Sequence, residues 1–364
     1  MMTRGVLLAL PAAVLIASAL LAAGATAARA FDWRTVDFGR IEGLIDLRES
    51  PHAPSGLIAR VEGRGWRALA LEDGALVDAG EAPFMGKLAP PEIVPQGRVG
   101  VAPGIPPEPT SDTAPRTPSA AWYEGPVRRY DHAILGDAIE AEILQVAFAD
   151  RRILAHRLGQ EHVFEDLEPR IVDADGDGDL EVLAIRTDLG RGAALALYDA
   201  EADDRDMQEI AATQPVGDRD RWLNPAGIAD FDGDGRPEIA AVLTPHGEGV
   251  LVHFAWDGES ARIVEERRIA GYSNHAAGST ALDLSAIHDI DGDGRPELVL
   301  PREDRAMVAI LAFEDGGFEE KARIANGGRT ITASIVTVDL DRDGRVEILW
   351  GLEDGAIRGL AIPR

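Results

Sequence analysis

The sequence predicts an all-β chain folded as a β-propeller of six four-stranded blades, with seven as the alternative count. Three observations carry this expectation. A nine-residue acidic phrase, Asp-x-Asp-x-Asp-Gly-x-x-Glu, is written four times, with first aspartates at 173, 230, 289 and 339. The steps between them are 57, 59 and 50 residues, and a unit of that size holds about four strands with their turns. Beyond the last phrase the chain has room for only two more strands, 348–352 and 356–362. A run near 31–38 can supply the missing one, so that N- and C-terminal strands close a ring without a free sheet edge.

The first thirty residues are expected to be a signal peptide. Arg4 forms a short basic start, Gly5 to Gly24 is apolar, and Ala28-Arg29-Ala30 fits a small-x-small cleavage pattern before Phe31. An uncleaved anchor is the alternative, since the run is just long enough to span a bilayer. Pro11 and the alanine-rich end favour cleavage. The expected location is the periplasm or the exterior, with no stable membrane span after cleavage. The chain has no cysteine, which removes disulfides, lipid attachment at a lipobox and thiol chemistry. It carries 36 basic and 63 acidic residues, a net charge of −27. Loss of Arg4 and Arg29 leaves 34 against 63, or −29. Such acidity argues against nucleic acid and anionic membrane partners. Residues 31–364 are expected to form one propeller domain, and a monomer.

Along the chain, Gly56 to Val61, Trp66 to Leu71 and Ala75 to Val77, with a turn at Asp73-Gly74, read as an early blade. A Pro-rich stretch at about 84–121 follows. Nine prolines fall between Pro90 and Pro118, which argues for an extended loop insertion rather than a central strand. Ile134 to Ala141 looks like a contracted acidic loop that has lost its ligands, and Ile143 to Phe148 and Ile153 to Leu158 read as strands. The unit at Asp230 shows the full grammar. Ala226 to Ala229 enters the loop, Glu238 to Leu243 leaves it, and Val250 to Trp256 and Ala261 to Arg267 follow around Asp257-Gly258. The next unit repeats this with Met307 to Phe313 and Phe318 to Ile324 around Asp315-Gly316. The unit at Asp173 adds Ala193 to Tyr198 and Met207 to Ala212.

The phrase itself is a ladder of oxygen ligands. Positions 1, 3 and 5 are Asp173, Asp175 and Asp177; Asp230, Asp232 and Asp234; Asp289, Asp291 and Asp293; and Asp339, Asp341 and Asp343. Position 9 closes the shell with Glu181, Glu238, Glu297 or Glu347. Position 7 is Asp179, Arg236, Arg295 or Arg345, expected to act through its backbone carbonyl. Gly178, Gly235, Gly294 and Gly344 at position 6 permit the sharp turn that brings that carbonyl inward. Hard cations such as Ca²⁺ take six to eight oxygens at about 2.3–2.6 Å, and no Cys or His recurs to favour a softer metal. Up to four Ca²⁺ are therefore expected. The phrase is not an EF-hand loop, because position 12 is Ala184, Ala241, Leu300 or Trp350 rather than Glu. Both flanks read as strands. A plain acidic turn is the alternative for any one copy, and four identical ladders argue against it.

The stretches Asp230-Phe-Asp-Gly-Asp-Gly-Arg-Pro-Glu238 and Asp289-Ile-Asp-Gly-Asp-Gly-Arg-Pro-Glu297 closely resemble FG-GAP/VCBS-type repeats, the calcium-bearing blades of integrin α-chain-like propellers. The likeness covers about residues 166–364. It implies a β-propeller, calcium in the loop between a blade's first two strands, and an extracellular or envelope location. The Phe-Gly and Gly-Ala-Pro signatures that name the family are not evident, which separates this chain from an integrin-like ligand mode.

No catalytic constellation is legible. His-Glu-x-x-His, Gly-x-Ser-x-Gly and a phosphate loop are all missing. The candidate ligand residues lie in the segments between blades: Trp222 and Asn224, then Tyr272, Asn274 and His275, with Asn326-Gly327-Gly328-Arg329 in the matching place. Aromatic rings with amides suit a sugar; packing between blades and turn capping is the alternative use of the same residues. Arg128 to His132 is a similar case. The expected function is a calcium-stabilised binding or scaffold module of the cell envelope, with a protein or a glycan as partner. The alternative is a propeller hydrolase or lyase, or a lectin, acting on carbohydrate.

Overall fold

The computed structural model describes residues 33–82, 94–101, 117–176, 178–200, 205–257 and 262–362. Among them there is no helix, and the strands are arranged almost wholly in order along the chain. Strand β1 (Arg34–Arg40) is left until last by the topology. Strands β2 (Leu44–Glu49), β3 (Leu57–Val61), β4 (Gly65–Glu72) and β5 (Ala75–Glu81) form a four-stranded antiparallel sheet. Asp73 and Gly74 both take positive φ, 48° and 81°, as a two-residue I′ hairpin requires.

The next strands make one larger sheet. They are β6 (Gly100–Val101), β7 (Pro118–Val127), β8 (Glu140–Phe148), β9 (Ile153–Arg157), β10 (His162–Phe164), β11 (Arg170–Val172), β12 (Glu181–Asp188), β13 (Gly192–Ala200) and β14 (Met207–Ala212). Short β10 pairs with β12 over three residues and touches β8 through Phe164 and Ala141. It thereby joins two arrays, β6–β9 and β11–β14, that periodicity reads as separate. A three-residue strand is below what alternation can detect.

Two further four-stranded sheets follow: β15 (Leu223–Ala229), β16 (Glu238–Leu243), β17 (Val250–Asp257) and β18 (Arg262–Ala270), then β19 (Ala286–His288), β20 (Glu297–Pro301), β21 (Met307–Glu314) and β22 (Gly317–Ala325). The last sheet holds β23 (Ile331–Val338), β24 (Glu347–Leu352) and β25 (Ala356–Ala361), and its fourth strand is β1. The register runs Arg34↔Ala361, Thr35↔Leu360 and Val36↔Gly359. The short final unit is therefore completed from the N-terminal side.

Two expectations are corrected here. Ile134 to Ala141 is not a lapsed metal loop. It leads from β7 into β8, the second and third strands of its array, whereas each acidic phrase joins a first strand to a second. The Pro-rich stretch is not loop throughout either. Gly100 and Val101 pair with Ala121 and Ala120, and Pro118 opens β7 opposite Phe148. The first residue of a strand is a place where proline is tolerated. Residues 83–93 and 102–116, and the expected signal peptide, lie outside the described residues.

The core is divided between facing sheets. Leu183, Ile185 and Leu195 of the larger sheet meet Trp222, Ile239 and Val252. Val242 and Leu251 meet Leu298, Leu300 and Leu311. Leu47, Leu57 and Leu69 of the first sheet meet Val336, Leu349 and Ile357 of the last. Between the leading strands lies a cavity of about 600 Å³, lined by β2, β11, β15, β19 and β23. Arg98 is bonded at its rim to Glu168 at 3.3 Å and lies 3.6 Å from Asp283.

Candidate metal centre

Each acidic phrase connects the first two strands of its unit: β11–β12, β15–β16, β19–β20 and β23–β24. The position-6 glycines take φ of 92°, 92°, 94° and 83°, the left-handed turn that a Cβ would oppose. Backbone N–H groups then organise the carboxylates. Position 6 donates to the position-1 aspartate in all four loops, from Gly178 at 3.1 Å to Gly344 at 2.9 Å. Gly176, Gly233 and Gly292 donate to the other oxygen of the same aspartates at 2.7 Å. Position 2 donates to the position-9 glutamate: Ala174 to Glu181 at 2.8 Å, Phe231 to Glu238 at 2.9 Å, Ile290 to Glu297 at 2.7 Å and Leu340 to Glu347 at 3.1 Å.

These bonds draw the oxygens together. One oxygen each from Asp230, Asp232, Asp234 and Glu238 lie within 4.8 Å of one another. The same holds for Asp173, Asp175 and Glu181; for Asp289, Asp291 and Glu297; and for Asp339, Asp341 and Asp343. Asp177 lies outside the described residues. Asp293 is missing from its cluster, and Arg295 pairs with it at 2.9 Å. Glu347 is absent from the fourth cluster. At position 7, Asp179 is exposed. The side chains of Arg236, Arg295 and Arg345 turn back onto the position-5 aspartates at 2.9, 2.9 and 3.5 Å, which leaves only the carbonyl of that residue for an ion.

Electrostatics argue for a cation. Glu181, Glu238 and Glu297 are nearly buried, at 5%, 4% and 2% exposed. Burial first, and then Asp175, Asp199 and Asp173, push Glu181 up to about 8. Burial and the three aspartates of its own loop push Glu297 up to about 7. Burial raises Asp291, with Asp293 and Asp289 adding to it. Several acidic clusters can thus hold metal ions, and an all-oxygen donor set is compatible with Ca²⁺. The loops also nest on one another. A Cβ on Gly176 would come 3.3 Å from Cγ of Arg236, and one on Gly233 would come 3.1 Å from Cδ of Arg295. At Gly176 and Gly233, position 4 is glycine where the next loop packs against it.

The residues expected to offer a ligand surface are interior. Trp222 is 1% exposed, and Asn224, Tyr272, Asn274 and His275 are fully covered. Their side-chain N–H and O–H donors are spent on neighbouring segments, whereas Oδ1 of Asn224 and of Asn274 is buried without a partner. Trp222 Nε1 donates to the Glu165 carbonyl at 2.9 Å. Asn224 Nδ2 donates to the Leu282 carbonyl at 2.7 Å, and Asn274 Nδ2 to the Pro225 carbonyl at 2.9 Å. Tyr272 donates its hydroxyl to Glu320 at 3.0 Å beneath the Arg302 guanidinium. Asn326 is buried and accepts from Trp350 Nε1 at 3.0 Å. In the Arg128–His132 stretch, Tyr130 is buried, and His132 reaches Glu165 at 2.6 Å. Sequence reasoning missed Glu165 and His246, which stand beside this stretch; neither belongs to a motif.

Residues 289–350 match a known family, the FG-GAP-like repeat. The matched span opens on the third acidic phrase, crosses β20 to β23 and the fourth phrase, and ends within β24. The repeat in sequence therefore straddles two sheets. No curated protein matches the chain.

Proposed function

We propose that this FG-GAP repeat chain is an exported, calcium-stabilised β-propeller that serves as a binding module of the cell envelope. The observation that carries the reading is the placement of four identical acidic ladders between first and second strands of successive units. A ring of six blades accounts for the sheets: β2–β5, β6–β9, β11–β14, β15–β18, β19–β22, and β23–β25 with β1. The face-to-face packing of the last sheet on the first and the cavity between leading strands support closure and a central channel. Export is supported by the apolar run and the small-x-small site before Phe31. Among the described residues no helix is long and apolar enough to cross a membrane.

In this reading Asp230, Asp232, Asp234 and Glu238 hold one ion, and their counterparts hold the others. The chain's own contribution is preorganisation: backbone donors fix the carboxylates before an ion arrives. Calcium, when bound, cancels the repulsion among them, about 1–4 kcal/mol per close pair. Extracellular calcium modules bind at about 10⁻⁴–10⁻³ M. At tenfold excess over Kd each site adds about 1.4 kcal/mol, and four add about 6 kcal/mol, comparable to the stability of a domain. The test is a melting curve with Ca²⁺ and with chelator, for the wild type and Asp291→Ala. Calcium is expected to raise the wild-type Tm by several degrees and the variant's by less. Coincident curves with and without chelator would sink the calcium role.

A further inference from the structure

We propose that the cavity between the β7–β8 loop, the lead-in to β15 and the β16–β17 loop binds a small neutral polyhydroxylated ligand, a single saccharide unit. The assignment deepens the binding-module reading, on which it rests, by naming a site and a ligand class. The cavity has about 310 Å³ and is lined by His132, Asp220, Arg221, Thr244 and His246, with the buried edges of Ile134 and Trp222 at its base. That volume lies at the small end of ligand pockets.

Two imidazoles give the cavity its chemistry, and their hydrogen bonds dictate which nitrogens face a ligand. His132 Nδ1 lies 2.6 Å from Oε1 of Glu165, a carboxylate with no exposure that also accepts from Thr187 Oγ1 at 2.8 Å. Nδ1 therefore carries the proton, and Nε2 is the free position. The second ring is fixed by a relay. His275 Nε2 is 3.0 Å from the Ser279 carbonyl, which only accepts, so that nitrogen bears hydrogen. His275 is buried, and its burial, followed by His246, pushes it down to about 3; it is neutral, and its Nδ1 must accept. His246 Nε2, 2.7 Å away, is the donor. His246 itself is pushed down to about 4, by burial of its inner edge and then by Arg305 and His132. It is also neutral, and its Nδ1 is left as a bare acceptor on a ring whose outer edge is exposed.

The lining is thus rich in acceptors: His246 Nδ1, the Asp220 carboxylate and Thr244 Oγ1, with Glu248 at the margin. These repel an anion. Arg221 also lines the cavity, but it is paired with Asp218 at 3.2 Å, and Arg219 takes one oxygen of Asp220 at 3.2 Å. Among the described residues no third histidine or carboxylate joins the two rings at metal-ligand spacing. Hydroxyl groups fit best, because each donates to an acceptor and can accept in turn from Thr244.

The test uses the mature, calcium-loaded chain. Eight histidines in the whole sequence make the imidazole nitrogen spectrum tractable. His246 and His275 are expected as Nε2–H forms; an Nδ1–H form of His246 would overturn the relay. Methyl glycosides of mannose, galactose and glucose are then titrated separately, with spermidine and inorganic phosphate as competing classes. At least one glycoside is expected to shift the His132 and His246 ring signals. Its affinity is expected to fall about tenfold, the loss of one or two good hydrogen bonds, in Thr244→Val with unchanged Tm, and in His246→Ala with a Tm lowered by the loss of the donor to buried His275. Shifts from spermidine or phosphate alone, or none from any probe, overturn the proposal. Glycoside binding that survives both substitutions overturns this site but leaves the binding-module reading standing. That reading fails separately, if chelator leaves the melting curve unmoved.

Discussion

Replacing Glu297 by Gln should raise stability without calcium and shrink the stabilisation that calcium brings. The side chain is 2% exposed and accepts the Ile290 N–H at 2.7 Å, a bond that a Gln carbonyl can keep. Burial and neighbouring aspartates raise the carboxyl from 4.5 to about 7. An acid raised in the folded state leaves stability intact below the unfolded value and removes it as pH climbs. Here the loss begins near pH 4.5 and is complete above pH 7, and it amounts to about 3 kcal/mol. In chelator at pH 8, Glu297→Gln should therefore be more stable than wild type by about 1–3 kcal/mol. In calcium it gives up one ligand, and the stabilisation on adding Ca²⁺ should shrink by about 1.4 kcal/mol. Unfolding entropy of about 2.1 cal/mol/K per residue makes 1 kcal/mol worth about 1.4 °C for roughly 330 residues. Scanning calorimetry at pH 8 and at pH 5, with Ca²⁺ and with EGTA, reads all four conditions. A variant less stable than wild type in EGTA, or an undiminished calcium increment, would refute the reasoning.

Two other substitutions test different parts of the fold. Glu140 is 4% exposed, and burial followed by Glu165, Asp137 and Asp166 raises it to about 9. By the same sign, wild-type stability should fall between pH 4.5 and 9, by at most about 6 kcal/mol from this group. Glu140→Gln should flatten that slope in urea titrations at pH 5 and 8.5; a variant that tracks the wild type would refute it. Arg342 is the position-4 residue of the fourth loop, where the other three carry glycine, and it holds φ at 61°. Left-handed geometry costs a side-chain residue about 1–2 kcal/mol, part of which glycine's unfolded-state entropy offsets. Arg342→Gly should raise stability by about 0.5 kcal/mol in calorimetry, and a lowered Tm would show that the arginine is not strained there.

Much of the fold was legible because it is local. The acidic ladder marks the β11–β12, β15–β16, β19–β20 and β23–β24 turns, and Asp-Gly marks hairpins at 73–74 and 315–316. Alternation located most strands from β12 onward to within a few residues. Strands β2, β6, β7 and β10 were missed; β6 has only two residues, inside the Pro-rich stretch. β2 carries charges at Asp46, Arg48 and Glu49, β7 opens with proline, and β10 has three residues.

The sequence by itself determined the four oxygen ladders, their spacing and the turns that shape them, because each is completed within nine residues of chain. It also held a subtler signal, glycine at position 4, whose reason appeared only when Gly176 met Arg236 and Gly233 met Arg295. Tertiary structure decided what became of the aromatic and amide residues between units. Trp222, Asn224 and Asn274 read equally well as a sugar platform or as packing, since composition carries no burial. The partners that bury them lie 49 to 58 positions away. The same holds for the histidine-lined cavity. His132 meets Glu165 across 33 residues and His246 meets His275 across 29, and only the packing of neighbouring sheets brings them together.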